Sequence, residues 1–156
     1  MNTFLPYPLY SDSAKCLDNR RLGKQRVEVL QILNVLLGGK TGWQNHPAVR
    51  QWKGFEKQLA IYGLYICNEW IKRGFRDTCF EKIRAFIPEY QFKEDNYIDY
   101  GCSNLALYPM PKWLGDRRLH SSHRSNLLRK DPAWYGKFGW TESSDLPYWW
   151  PNKEGF

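Results

Sequence analysis

Glu28 is the residue whose surroundings call for an explanation in chemistry. It follows Arg20-Arg21-Leu22-Gly23-Lys24-Gln25-Arg26-Val27, a stretch rich in cations. At 100° per residue, Arg21, Lys24, Gln25 and Glu28 gather on one helical face, with Glu28 one turn from Lys24 and two turns from Arg21. One role for such a carboxylate is a structural ion pair. The other is proton transfer, or stabilisation of a cationic intermediate, on a surface that otherwise attracts phosphate.

Two segments concentrate the positive charge. Residues 15–26 carry Lys15, Arg20, Arg21, Lys24 and Arg26 against Asp18, and residues 117–130 carry Arg117, Arg118, Arg124, Arg129 and Lys130 with no acid. Side by side, the two would form an electropositive face suited to a duplex. Apart, they are two solvated helix faces. His123, Arg124, Arg129 and Lys130 are candidate phosphate ligands. Trp134 and Tyr135 either stack on or wedge between bases, or pack the C-terminal segment onto the first helix.

Metal and nucleophile patterns are weak. Cys16, Cys67, Cys79 and Cys102 show no Cys-x-x-Cys spacing, and the histidines are His46, His120 and His123. His120-x-x-His123 places two imidazoles on one helical face, but no cysteine or carboxylate follows at ligand spacing, so no metal is expected. Reduced, buried thiols in a cytosolic protein are expected instead. There is no Walker loop, Gly-x-Gly-x-x-Gly or Ser-His-Asp pattern.

The elements that must position these residues read as helices. Pro6 and Pro8 exclude a regular helix from residues 1–12. Ser11, Ser13 and Asp18 are candidate N-caps for a first helix that runs to Leu37 and stops at Gly38-Gly39. It would bury Leu22, Val29, Leu33, Leu36 and Leu37. A second helix is expected from Pro47 to Arg73, with Val49, Trp52, Phe55, Leu59, Tyr62, Ile66 and Trp70 as its buried stripe. Gly54 and Gly63 weaken that helix or mark close packing. Thr78-x-x-Glu81 reads as a capping box for a short third helix ending before Pro88. Residues 89–112 read as loop and as the acidic side of the molecule, with Glu89, Glu94, Asp95 and Asp99 answered by Lys93 and Lys112. Asp116 caps a helix over Arg117–Lys130. Asp131-Pro132 opens a short helical turn ended by Gly139, and an extended aromatic tail follows.

The expected fold is therefore all-α: a single compact domain over residues 1–156, with three main helices, a short C-terminal helical turn and an extended tail. The 156 residues suit one domain. Hydrophobic residues at 42% and charged residues at 25% exclude a disordered chain. No apolar run approaches the ~20 residues of a membrane span, and the start lacks a signal-peptide pattern. The net charge of +7 and 17% aromatics suit a polyanion whose bases can stack.

The chain resembles the pyrimidine-dimer DNA glycosylases, the phage-type endonuclease V group that joins glycosylase to abasic-site lyase activity. Three stretches carry the resemblance, in order. Leu17-Asp18-Asn19-Arg20-Arg21-Leu22-Gly23-Lys24-Gln25-Arg26-Val27-Glu28 resembles the family's first long helix, which leads to a catalytic glutamate. Glu69-Trp70-Ile71-Lys72-Arg73-Gly74-Phe75 is similar to its acid-x-x-Lys-Arg-Gly-Phe helix end. Pro132-Ala133-Trp134-Tyr135-Gly136-Lys137-Phe138-Gly139 is similar to its Pro-x-Trp-Tyr-x-x-Tyr-Gly close, with Phe138 for the second Tyr. Thr3-Phe4-Leu5-Pro6-Tyr7-Pro8 and Asp145-Leu146-Pro147-Tyr148-Trp149-Trp150-Pro151 look like a bacterial and phage branch of the group.

The resemblance implies a compact helical fold and puts Glu28 at the catalytic glutamate's position. Arg21 stands where the family has a histidine, Gln25 where it has a second acid, and Val27 and Gln31 where it has phosphate-holding arginines. Arg20, Lys24 and Arg26 carry charge at neighbouring positions, although helix geometry points them elsewhere.

The family's nucleophile is the α-amine of the mature N-terminal residue. An α-amine has a pKa of about 7.7–8.0 against about 10.4 for lysine, so far more of it is free base near neutral pH. The family exposes a small residue after Met1 is removed, whereas Asn2 discourages that removal. Met1, Asn2 or Thr3 could therefore supply the amine, with Lys24 as a fallback if buried. Water activated by Glu28 is a further alternative.

The implied function is excision of damaged or modified pyrimidines, pyrimidine dimers first, with abasic-site lyase chemistry through an imine. The site residues are Met1, Asn2 and Glu28 for catalysis, and Arg20, Arg21, Lys24, Gln25, Arg26, His123, Arg124, Arg129, Lys130, Trp134 and Tyr135 for DNA. No cofactor and no metal are implied. The expected partner is double-stranded DNA, with no membrane, and the expected state is a cytoplasmic, nucleoid-associated monomer. The rival readings are a non-catalytic duplex-binding protein of the same fold and an RNA-directed module.

Overall fold

The structure, a computed structural model, describes residues 1–39, 42–93 and 108–151, and among these it is helical with no strand. Seven α-helices occur in the described residues: α1 Tyr10–Cys16, α2 Asn19–Leu36, α3 Pro47–Arg50, α4 Glu56–Lys72, α5 Phe80–Arg84, α6 Arg117–Lys130 and α7 Pro132–Tyr135. A 3-10 turn, Gly136–Phe138, follows α7 and stops at Gly139, which has φ +70°. No helix among the described residues is long and apolar enough to cross a membrane.

The first expected helix is two helices. Leu17 is extended (φ −68°, ψ 138°), and Asp18 then caps α2 by accepting from Arg21 N at 3.3 Å. Ser11 and Ser13 lie inside α1 rather than capping it. The stop at Leu36 agrees with the expectation, but Leu37 is 58% exposed and Leu36 only half-buried, so the apolar face ends a turn early.

The second expected helix also divides. His46 caps α3, and the chain turns through Gly54 at φ +87°, a conformation only glycine adopts cheaply, before α4 begins. Gly63 is a packing glycine instead. A Cβ there would meet Val29 Cγ1 at 2.7 Å and Ile83 Cδ1 at 3.0 Å, so α2 and α5 both close onto α4 at this point. Helices α2 and α4 form the most extensive helix pair.

The capping box at Thr78 does not form. Asp77 accepts from Cys79 N at 3.1 Å and Phe80 N at 2.7 Å, and also pairs with Arg26 at 2.6 Å, so one residue starts α5 and ties it to α2. Helix α6 occupies the expected residues, capped by Asp116. Of the expected acidic loop, Glu94, Asp95 and Asp99 lie outside the described residues. Glu89 lies within them and bonds Tyr108 and Lys57.

One hydrophobic cluster gathers residues from Phe4 to Tyr135, with Trp52, Tyr62 and Leu59 fully buried at its centre. The expected stripe of the divided second helix faces it, with Val49, Trp52, Leu59, Tyr62 and Ile66 buried. Cys16, Cys67 and Cys79 are buried free thiols. Burial pushes Cys16 up to about 12 and Cys67 higher still, so neither is a ready nucleophile. Cys102 lies outside the described residues.

Candidate active site

The N-terminal peptide, residues 1–6, runs non-helical across the core and is held by side chains. Asn2 N donates to Glu28 Oε2 at 3.3 Å, Thr3 N to Asn2 Oδ1 at 2.8 Å, Phe4 N to Gln25 Oε1 at 3.0 Å, and Leu5 N to His123 Nδ1 at 2.8 Å. The carbonyls are satisfied too. Gln25 Nε2 donates to Asn2 O at 2.9 Å, Tyr62 Oη lies 2.8 Å from Phe4 O, and Arg124 Nη1 donates to Pro6 O at 2.8 Å. Thr3 Oγ1 accepts from Gln51 Nε2 and Trp52 Nε1. A buried segment outside any ladder needs such partners at every peptide group.

This peptide explains the two histidines of α6. Gly115 N donates to His120 Nε2 at 2.9 Å, so the ring carries its proton on Nδ1 and donates it to Leu5 O at 2.7 Å. His123 accepts from Leu5 N. Together they hold both backbone polar groups of Leu5, its N–H and its carbonyl. Burial lowers both, His123 to about 3, so each is a neutral imidazole. His123 is 0% exposed and does not reach phosphate, which corrects its expected role. No group of three or more His, Cys, Asp or Glu side chains suited to a metal occurs among the described residues.

The same peptide carries the chain terminus to Glu28. The Met1 α-amine lies 3.9 Å from Glu28 Oε1, and Lys24 Nζ lies 3.6 Å from the same oxygen. Gln25 Nε2 donates to Glu28 Oε2 at 2.9 Å. Gln25 and Glu28 are buried, at 1% and 6% exposure, so they leave the open cationic stripe expected of them. The reason is that the N-terminal peptide covers this face of α2. Lys24 is 71% exposed and lacks the burial that a lysine nucleophile requires.

A cleft of about 440 Å³ opens over these groups, with Met1, Asn2, Gln25 and Glu28 in its lining. Arg20, Arg21, Lys24 and Lys130 supply its cationic part. Lys130 is pushed below the usual lysine range by burial and by the charges of Arg21, Arg129 and Lys24. The cations of α2 and α6 therefore converge here. Phe4, His46, Tyr148 and Trp150 supply an aromatic part.

Several expected DNA contacts lie elsewhere. Arg26 is turned away from the cleft, onto Asp77, Gly23 O and the Trp70 ring, whereas Arg20 and Lys24 do line it despite the helix-wheel expectation. Arg124 is consumed by Glu142 at 2.6 Å, Pro6 O and Ser121. Arg129 bonds Asn126 and Ser144 O while remaining exposed. Tyr135 is fully buried with its hydroxyl on Asp18, and Trp134 donates to Cys16 O at 2.8 Å under the Lys137 ammonium. This pair packs α7 onto the α1–α2 junction and offers no free wedge. Sequence reasoning missed His46, Tyr148 and Trp150. Pro47 at the first helical position was a usable signal for His46 as the residue that caps α3, but nothing local ties the tail to Glu28.

A family model described as pyrimidine dimer DNA glycosylase matches residues 1–82. The chain belongs to this family. The matched span holds the N-terminal peptide, Gln25, Glu28 and His46, while α6 and the tail lie beyond it. Comparison with curated proteins and with solved structures gave no match. Family membership makes the chain a DNA glycosylase in the general sense and DNA its substrate.

Proposed function

We propose that the protein excises damaged or modified pyrimidines from duplex DNA, pyrimidine dimers among them, and cleaves the resulting abasic site through an imine. The observation that carries this reading is the α-amine 3.9 Å from the buried Glu28 carboxylate, in a cleft lined by Arg20, Arg21, Lys24 and Lys130. The cations suit the flanking phosphates.

The amine lone pair attacks C1′ of the sugar as the glycosidic C1′–N bond breaks, and its electron pair leaves with the base, which takes up a proton. Glu28 stabilises the cationic sugar and accepts a proton from the attached nitrogen. Opening of the C1′–O4′ bond gives the imine, with O4′ protonated. Loss of a C2′ proton then forms a C2′–C3′ double bond and expels the 3′ phosphate. Water hydrolyses the imine and restores the amine. If Met1 is removed, Asn2 N, at 3.3 Å from Glu28 Oε2, takes the same role. Intact-mass measurement decides which terminus is present.

The test is incubation with two duplexes, one with a thymine dimer and one with an abasic site, with and without borohydride. Cleavage with a trapped covalent adduct, both lost in Glu28→Gln, is expected. Tight duplex binding with no cleavage and no adduct on either would overturn the amine mechanism.

A further inference from the structure

Trp43 is a tryptophan that the fold does not bury. The chain has eight tryptophans. The other seven are buried or half-buried, whereas Trp43 is 50% exposed. An indole carries a large apolar surface, and tryptophan is enriched where a protein meets a partner.

The exposed indole sits on a supported turn. Residues 42–45 form this turn, and His46 N closes it by donating to Trp43 O at 3.0 Å. His46 is itself fixed, because its Nδ1 accepts from Ala48 N at 3.1 Å as the cap of α3. The Trp43 and His46 rings meet edge to face, with centroids 5.6 Å apart. A side chain held in this way loses less freedom on binding than one on a loose loop.

The turn stands next to the cleft without lining it. His46 does line the cleft, and its ring lies 6.3 Å from that of Trp150 in the same wall. Trp43 is one ring further out, past the aromatic part, while Arg20, Arg21, Lys24 and Lys130 form the cationic part. His46 also feels the charge of the chain terminus, so a single ring separates the indole from the surroundings of the amine. The indole is uncharged and adds nothing to the hold on phosphate. What it offers a duplex is a flat apolar face on which a base can stack. Trp134 and Tyr135, the pair expected to wedge between bases, are taken up by packing.

We propose that Trp43 inserts its indole into the base stack where damage interrupts it, and so distinguishes a broken stack from an intact one. This rests on the reading of the cleft as a DNA site, and concerns a residue outside that cleft. Parting two stacked base pairs is costly, and the cost falls where a base is missing or no longer stacks. Stacking of the indole on the neighbouring base offsets what remains. Trp43 therefore contributes more to affinity for an interrupted duplex than for an intact one.

The test compares a duplex carrying a tetrahydrofuran abasic analogue with the same duplex intact. The analogue has no hydroxyl at C1′ and forms no imine, so binding is read without chemistry. Wild type is expected to favour the analogue duplex at least about tenfold. Trp43→Ala should lower that ratio about fivefold or more, and Trp43→Phe, which can still stack, should keep most of it. The slope of log K against log salt should not change in either variant, because no phosphate contact is lost. Circular dichroism verifies folding. A wild-type ratio of one, a ratio unchanged in Trp43→Ala, a ratio lost equally in Trp43→Phe, or a loss accompanied by a smaller salt slope overturns the proposal. Borohydride trapping of wild type on a natural abasic duplex, run in parallel, separates the two readings. An adduct with a ratio that does not depend on Trp43 removes the wedge and leaves the amine mechanism. A ratio that depends on Trp43, without an adduct, does the reverse.

Discussion

Replacing Gln25 by glutamate tests whether Glu28 is the group that must ionise. Gln25 Oε1 accepts from Phe4 N at 3.0 Å and lies 2.9 Å from the Tyr62 hydroxyl, while Nε2 donates to Asn2 O and to Glu28 Oε2, both at 2.9 Å. Gln25→Glu keeps the acceptor contacts and turns the Glu28 contact into oxygen against oxygen at the same 2.9 Å. Two carboxylates at that separation repel by roughly 6 kcal/mol at an effective dielectric of about 20, equivalent to about 4 pKa units. One of the two must therefore keep a proton well above the ordinary carboxylate range. The expected outcome is an acid limb of the pH–rate profile raised by at least about one unit, read as single-turnover trapping on an abasic duplex. Gln25→Leu serves as companion. It removes all four contacts and should cost about 3–5 kcal/mol in urea unfolding, from several buried groups left unpaired. A Gln25→Glu profile superimposable on wild type, at matched fraction folded, would refute Glu28 as the ionising group.

Other expectations follow from the packing and charge. His123, lowered to about 3, is neutral when folded but takes a proton when unfolded below about pH 6.5, so stability is full above that pH and falls with acid. The slope approaches about 1.4 kcal/mol per pH unit from this residue, urea unfolding between pH 7.5 and 5.5 should show it, and a flat profile would contradict the buried neutral ring. Gly63→Leu forces a side chain into a site where Cβ alone meets Val29 at 2.7 Å, and should lose about 2–3 kcal/mol or more. Lys130→Ala should weaken duplex binding evenly across sequences and reduce the slope of log K against log salt by about 0.9, measured by titration at several salt concentrations.

The helices were legible where their signals are local. Asp116 capping α6, Pro47 opening α3 and Gly139 ending the C-terminal turn are each decided by one residue's hydrogen-bonding or dihedral preference. The breaks at Leu17 and Gly54 each had a local signal, Asp18 as a candidate cap and Gly54 as a weak point, but apolar periodicity runs through both and left them undecided. Helical spacing also placed Glu28 beside Lys24, and the 3.6 Å ion pair follows from it. What spacing could not supply is that a non-helical peptide covers this face of α2. Gln25, His120 and His123 are polar residues of the kind that mark a site, yet they serve as ligands of residues 2–5, separated from them by 21 to more than 100 positions. Trp134 and Tyr135 were ambiguous in sequence because an aromatic pair serves stacking and packing equally, and burial decides for packing.

A chain terminus is ordinarily the least ordered part of a protein, and an amine free to wander makes a poor nucleophile. Here the peptide N–H groups of Asn2, Thr3, Phe4 and Leu5 all meet side-chain acceptors, and Thr3 and Leu5 are fully buried. The ordering cost of roughly 1–2 kcal/mol per residue is thereby met in folding rather than at the moment of reaction. The arrangement holds the amine in register but gives it no slack. Adding Gly-Ser before Met1 moves the amine by up to about 3.5 Å per residue from a position 3.9 Å from Glu28, while every anchor from Asn2 onward stays in place. Trapping on the abasic duplex should fall by about 100-fold or more, with duplex affinity within about threefold of wild type, because the cations lie on α2 and α6. Undiminished trapping in the extended protein would show that the attacking group is not the terminal amine, and Lys24 would be the next amine to replace.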